Sequence, residues 1–230
     1  MLRIDKYLAD CGIGTRSEVK QYIKKKQILV NGELIAKPDI KIDENKDEVY
    51  FQGKKVVYEK YVYYLFHKPQ GCVTAKQDNL HKTVMEYFPE DLQKILAPVG
   101  RLDLDTEGLL LLTNDGELTH HLLSPTHHIP KTYYAILDKT VPKEAVELFQ
   151  KGIDIGDEKL TLPAELKILN ETNTFAAELT ICEGRFHQVK RMFTSVGCKV
   201  TYLKRLSMGG LSLGDLPLGE YRKLTREEIL

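Results

Sequence analysis

The sequence predicts an α+β protein, with a small N-terminal unit over residues 1–59 and a larger unit over 60–230 built on a mixed, mainly antiparallel sheet. Three observations carry this. The 230 residues suit one large unit plus one small one. Strand-like and helix-like segments follow one another irregularly, without the alternation that builds a parallel sheet. Residues 52–60, with Gly53 and three lysines, read as a junction after a compact pattern of helices and hairpins.

In the small unit, residues 3–10 predict a first helix with Ile4, Tyr7 and Leu8 inward, stopped by Gly12. Thr15 is placed to cap a second helix, with Glu18 as its capping-box partner. That helix is expected to run to about Lys26. Val19, Tyr22 and Ile23 form its apolar stripe, and Arg16, Lys20 and Lys24 line one exposed face at i, i+4 and i+8. Residues 28–30 read as a strand, and Asn31-Gly32 is a strong hairpin signal leading to a strand at 33–36. Residues 48–51 predict another. About 55 residues of this kind can fold alone, though only marginally.

In the large unit, strands are expected at 61–67, 109–113, 132–137, 176–181 and 200–206, and helices at 117–123, 143–151 and 187–196. Within the last, Val189, Met192, Phe193 and Val196 form an apolar stripe, and Gly197 sits where a helix commonly ends.

Composition excludes several classes. With 42% hydrophobic and 29% charged residues the chain is a globular protein rather than a disordered one. No apolar run approaches the roughly 20 residues of a membrane span, and the mixed charges of residues 1–6 do not form a secretory leader. Cys11, Cys72, Cys182 and Cys198 are scattered, which points to free thiols in the cytoplasm rather than disulfides or zinc ligands. The pairs His120-His121 and His127-His128 have no Cys or carboxylate at ligand spacing, so no metal is expected. No phosphate-binding glycine motif is present, so no nucleotide cofactor is expected.

Lys plus Arg and Asp plus Glu both number 33. Basic residues nevertheless cluster in 16–26 and again in 183–205, while acids dominate 43–48. Two basic patches on a neutral body suit docking on a polyanion; by charge alone they are equally two solvated faces.

The densest motif is Gly100-Arg101-Leu102-Asp103-Leu104-Asp105-Thr106-Glu107-Gly108, a loop feeding an apolar strand. In extended chain Arg101, Asp103 and Asp105 would point to one side. A carboxylate here is a candidate nucleophile if a cation holds it ionised; the same spacing also reads as a turn with a capping Asp. Glu183-Gly184-Arg185-Phe186-His187-Gln188-Val189-Lys190-Arg191-Met192 places a glycine turn before a helix with a basic face, a candidate anion site or a solvated helix. Tyr133, in Lys131-Thr132-Tyr133, falls within a strand, where tyrosine is usually core. Lys68-Pro69-Gln70-Gly71 reads as a turn at a strand end.

Together these motifs resemble the RsuA group of ribosomal pseudouridine synthases. Residues 100–108 are similar to its G-R-L-D-x-D-T-x-G, residues 183–192 to its E-G-R-[YF]-H-Q-[VI]-K-R-M, and residues 131–133 to its K-T-Y. Residues 68–71 resemble most of its N-K-P-x-G, with His67 in place of Asn. Residues 217–225 are similar to its P-G-E-Y-R-P-L-T ending, with Leu218 inserted. Residues 1 to about 50 resemble an S4 RNA-binding domain, through Arg3-Ile4-Asp5-Lys6-Tyr7-Leu8, Thr15-Arg16-Ser17 and Val30-Asn31-Gly32.

The resemblance implies an S4-like domain in front of a catalytic domain that converts a specific uridine of 16S rRNA to pseudouridine without a cofactor. It implies that Asp103 attacks the nucleotide at ribose C1′ or uracil C6, that Tyr133 stacks on the base and can assist removal of the C5 proton, and that Lys190 pairs with Asp103. Arg101, Arg185 and Lys204 are the implied RNA contacts near a flipped base, and Arg16, Lys20 and Lys24 the docking face. The expected partner is rRNA in an assembling small subunit, met by a monomer away from membranes. A large-subunit (23S) target and a non-catalytic rRNA-binding assembly protein are the alternatives; the abrupt end at residues 227–230 tilts the reading to the small subunit. A hydrolase using Asp103 and Asp105 is disfavoured, because two acids on one segment can hardly flank a bond.

Overall fold

The computed structural model describes residues 1–171 and 174–229; Leu230, the last residue of the expected 60–230 domain, lies outside them. The chain forms two compact units. One comprises Met1–Val62 with Phe88–Ala97; the other comprises Tyr63–Tyr87 and the chain from Pro98 onward. The short helix Glu90–Ile95, not foreseen in the sequence, belongs to the first unit.

In the first unit, helices Ile4–Asp10 and Arg16–Lys24 pack over a four-stranded antiparallel sheet ordered Glu33–Leu34, Ile28–Val30, Val49–Phe51, Lys54–Val56. Ile4, Tyr7 and Leu8 meet Val19 and Ile23, and the strands contribute Ile28, Val49 and Val56. The capping box forms: the Glu18 N–H donates to Thr15 Oγ1 at 3.2 Å and the Thr15 N–H to Glu18 Oε2 at 2.7 Å. Gly12, at φ +76°, ends the first helix as expected, and a Cβ there would strike the Asp91 carbonyl.

The second helix stops at Lys24, short of the lysine run's end. Lys26 takes the left-handed conformation (φ 56°), and the N–H groups of Lys26 and Gln27 return to the carbonyls of Ile23 and Tyr22. This is a helix stop that usually employs glycine. Residues 52–60 also differ from expectation. Gln52 and Gly53 both have positive φ and turn a hairpin, so Lys54–Val56 is a strand of the first unit rather than a linker. Its two exposed lysines conceal the single buried Val56 that marks the strand.

Asp5 has no exposed surface and is held by two arginines. Arg3 donates through Nε and Nη2 at 3.1 and 2.9 Å, and Arg16 through Nη2 at 2.8 Å. Burial pushes the Asp5 carboxyl up, but the two guanidinium groups outweigh it and hold the group below the usual carboxylate range.

The second unit is built on one twisted path of strands: Glu165–Glu171, Thr174–Ile181, Lys131–Leu137, Val200–Met208, Thr106–Thr113, Tyr63–Lys68 and Tyr221–Leu224. Neighbours along it are antiparallel except Val200–Met208 with Thr106–Thr113, which are parallel. The sheet is therefore mixed and mainly antiparallel, as the sequence predicts. Leu109, Leu110, Leu111 and Leu112 are all fully buried, because both faces of their strand are covered. The helices Ala145–Lys151 and Gln188–Ser195 share a face, where the rings of Phe149 and Phe193 meet edge to face at 5.8 Å. The latter helix buries Val189, Met192 and Phe193 and ends at Gly197 (φ +77°), as its spacing predicts. The two outermost strands of the path are not among the expected ones. They are edges carrying charge, such as the Lys167–Glu178 cross-strand pair, which blunts their strand pattern.

At the parallel junction, Gly108 (φ +111°) lies against the Arg205 main chain, and a Cβ there would overlap it.

Two outcomes are expected in urea titrations. Gly108→Ala should destabilise the protein by more than about 2 kcal/mol, since strained backbone and a main-chain clash add. Asp5→Asn should cost about 2–3 kcal/mol at neutral pH. Because the folded-state pKa of Asp5 is depressed, its contribution is complete above the ordinary value of 3.8 and is lost as pH falls through the folded value. The gap between wild type and Asp5→Asn should therefore close in acid.

Candidate active site

The loop 100–105 is fixed from beneath by the segment that follows strand Tyr63–Lys68. Lys68 has no exposed surface, and its ammonium donates to three main-chain carbonyls: Pro69 at 3.0 Å, Asp103 at 2.9 Å and Thr106 at 2.9 Å. Thr74 Oγ1 donates to the Leu102 carbonyl at 2.8 Å and accepts from the Leu102 N–H at 3.1 Å. The Gly71 N–H donates to the Leu104 carbonyl at 2.8 Å. Burial pushes the Lys68 ammonium below its ordinary value, opposed by Cys72 and the acids of the loop. In the sequence Lys68 stands out only as part of a turn. Two of its acceptors lie 35 and 38 positions away, so no local pattern reveals the clamp.

Above this base stands a charged cluster. Lys190, on the first turn of helix Gln188–Ser195, donates to Asp103 Oδ2 at 2.9 Å and to Asp105 Oδ1 at 2.6 Å. His187 Nε2 is 3.6 Å from Asp103 Oδ1. Burial lowers the Lys190 pKa, but hydrogen bonds to Asp105 and then Asp103 outweigh it, and the ammonium is held above its ordinary value. Burial raises the Asp105 carboxyl while Lys190 pulls it lower, with a net fall. Lys190 thus stays charged at neutral pH between two acids.

Asp103 and Lys190 line one cavity with Tyr133 and Arg101. Tyr133 is nearly buried on the strand Lys131–Leu137, where register pairs it with Leu179 and Arg205. A buried aromatic wall beside a partly exposed carboxylate suits a planar ring presented edge-on to the acid. Residues 103–106 form a turn, closed by the Thr106 N–H on the Asp103 carbonyl at 3.1 Å, so the chain is not extended from Asp103 to Asp105. Asp103 and Asp105 converge because Lys190 gathers them.

Two expected contacts need correction. Arg185 lines the cavity, but its guanidinium is already occupied: it bonds Glu183 at 3.0 Å and the carbonyls of Lys159 and Leu160 at 2.7 and 2.6 Å. It braces the 157–160 segment instead of presenting donors. Lys204 lies on the other face of the sheet. Strand alternation puts Leu203 on the cavity side and Lys204 away from it, beside Glu107 and Tyr134, its partners in register. In the first unit, Arg16, Lys20 and Lys24 are all exposed. Lys20 and Lys24 border a groove with Ser17, Ala36 and Pro38, whereas Arg16 is tied to Asp5.

Comparison with known proteins accords with this geometry. The model of the RNA pseudouridylate synthase family matches residues 62–195, and that of the S4 domain matches residues 2–48. The chain is 39% identical to the ribosomal small subunit pseudouridine synthase A of Haemophilus influenzae, covering 99% of this chain and 98% of that one. It is 38% identical to the ribosomal large subunit pseudouridine synthase B of Bacillus subtilis, covering 100% and 94%. A crystal structure of a pseudouridylate synthase superposes with a TM-score of 0.70 at 39% identity, covering 100% of this chain and 98% of that one. A two-acid cluster around Lys190, an aromatic-walled cavity and full-length likeness to such enzymes lead to one conclusion: this chain belongs to the RNA pseudouridylate synthase family, isomerases of uridine in RNA, and carries an S4 domain at its N-terminus.

Proposed function

We propose that the protein converts one uridine of 16S rRNA to pseudouridine, acting as a monomer in the cytoplasm with Asp103 as its nucleophile. The observation that carries the assignment of Asp103 is its position: it lines the same cavity as Tyr133 and is bonded to Lys190. Asp105 shares Lys190 but stands more open to solvent.

The uridine leaves its stack and enters the cavity. Lys190 holds the Asp103 carboxylate in place through its hydrogen bond to Oδ2. The carboxylate attacks at C1′ or C6, the N1–C1′ bond breaks, and the uracil turns so that C5 bonds to C1′ as the bond to Asp103 breaks and N1 takes up a proton. The C5 proton is lost, and Tyr133 stacks on the ring throughout. Arg101, exposed on the cavity's rim, meets a phosphate of the same strand. Lys20 and Lys24, with Arg16 beside them, dock the first unit on structured rRNA.

The small-subunit assignment draws on relatives such as that of Haemophilus influenzae. The similarity to a large-subunit enzyme supports 23S rRNA as the second reading.

The test is tritium release from C5-labelled uridine in unmodified 16S and 23S rRNA, with wild type and Asp103→Ala side by side. Release from 16S by wild type alone is expected. Release from 23S alone would move the target to the large subunit, and release by Asp103→Ala would overturn the nucleophile. Reversing Lys20 and Lys24 to Glu should weaken rRNA binding and flatten its salt dependence, by about one unit of slope for each phosphate that is no longer neutralised. Unchanged affinity would remove this face from the docking surface.

A further inference from the structure

Phe186 is 76% exposed, yet it sits in one of the most heavily cross-braced segments of the second unit. The Arg191 guanidinium donates to the Phe186 carbonyl at 3.0 Å, while its Nε donates to the Ile155 carbonyl at 3.0 Å. The Arg185 N–H donates to the buried Gln188 side chain at 2.9 Å, and Gln188 in turn donates to Glu183 at 2.7 Å. His187 is held left-handed at φ 47°, a conformation that costs a non-glycine residue energy and persists only where its surroundings impose it. The result is a stacked pair: the rings of Phe186 and His187 lie 3.8 Å apart and 18° from parallel. The far edge of that pair is His187 Nε2, 3.6 Å from Asp103.

A ring presented rigidly to solvent at the rim of the cavity contributes little to folding. It suits a planar partner that arrives with the substrate. When a uridine swings into the cavity, the base beside it in the strand loses a stacking neighbour. Such a base is flat, sequence-tolerant in its stacking, and tethered within one nucleotide of Asp103. We propose that Phe186, backed by His187, is the platform on which the nucleotide adjacent to the flipped uridine stacks, a positioning and affinity role. This rests on the reading of the cavity as the uridine site. His187 lines the same cavity as Arg101, so one strand would meet a stacking ring and a phosphate contact together.

The test needs no turnover. A short single-stranded RNA carries one uridine with the fluorescent base 2-aminopurine on its 5′ or 3′ side. On binding wild type, 2-aminopurine on one side should stay quenched, because the Phe186 ring replaces the departed uracil. Phe186→Ala should brighten that probe and weaken binding about 5- to 150-fold, the range found when an aromatic that stacks on a base is removed. Phe186→Tyr should restore both. Thermal midpoints of the two variants within a degree or so of wild type would place the effect in binding rather than folding. Unchanged fluorescence and affinity in Phe186→Ala would overturn the platform, as would bright probes on both sides in the wild-type complex. A wild-type dimer in sedimentation that Phe186→Ala dissociates would also overturn it, by assigning the ring to a contact between two copies. Failure of tritium release from 16S rRNA would sink the target assignment alone, since the fluorescence assay reads binding independently.

Discussion

The loop that carries Asp103 and Asp105 depends on one buried ammonium. Three main-chain carbonyls converge on Lys68, and two of them belong to Asp103 and Thr106, the first and last residues of the turn that carries the acids. An ammonium has three donors and no acceptor, so a site of three carbonyls satisfies it completely. Removing it would leave those carbonyls facing apolar surroundings, which is more damaging than the loss of the bonds themselves. The orientation of the Asp103 side chain is therefore set from the main chain upward. Lys190 then acts on a carboxylate whose origin is already fixed.

Electrostatics divides the labour between the two lysines. Lys68 holds backbone dipoles and is pushed down by burial; Lys190 holds full charges and is held up by them. With one cation between two acids, Asp103, Asp105 and Lys190 sum to a single negative charge.

Much of this was legible in the sequence where the physics is local. The Thr15–Glu18 capping box, the Asn31-Gly32 hairpin and the stripe through Val189 and Phe193 each express interactions within a few residues, and each forms. The family motifs located Asp103, Tyr133 and Lys190, which share one cavity. What escaped depends on residues far apart. The Lys68 clamp spans 35 positions or more. Arg185 looked free because its acceptors, Lys159 and Leu160, lie in another segment. Lys204 looked available because a basic count does not say which face of a sheet a residue occupies. The strand Lys54–Val56 was hidden by lysines that face outward.

The parallel pairing of Val200–Met208 with Thr106–Thr113 carries a consequence in time. Strand Val200–Met208 inserts between Lys131–Leu137 and Thr106–Thr113, so in the sheet the wall bearing Tyr133 meets the strand fed by the Asp103 loop through a segment from late in the sequence. A ribosome making this protein releases the first unit long before that segment emerges, and domains fold as they appear. Until then strand Thr106–Thr113 has an open edge, and aspartate and tyrosine belong to separate fragments. A chain interrupted before residue 200 lacks the strand that brings the two walls of the cavity together.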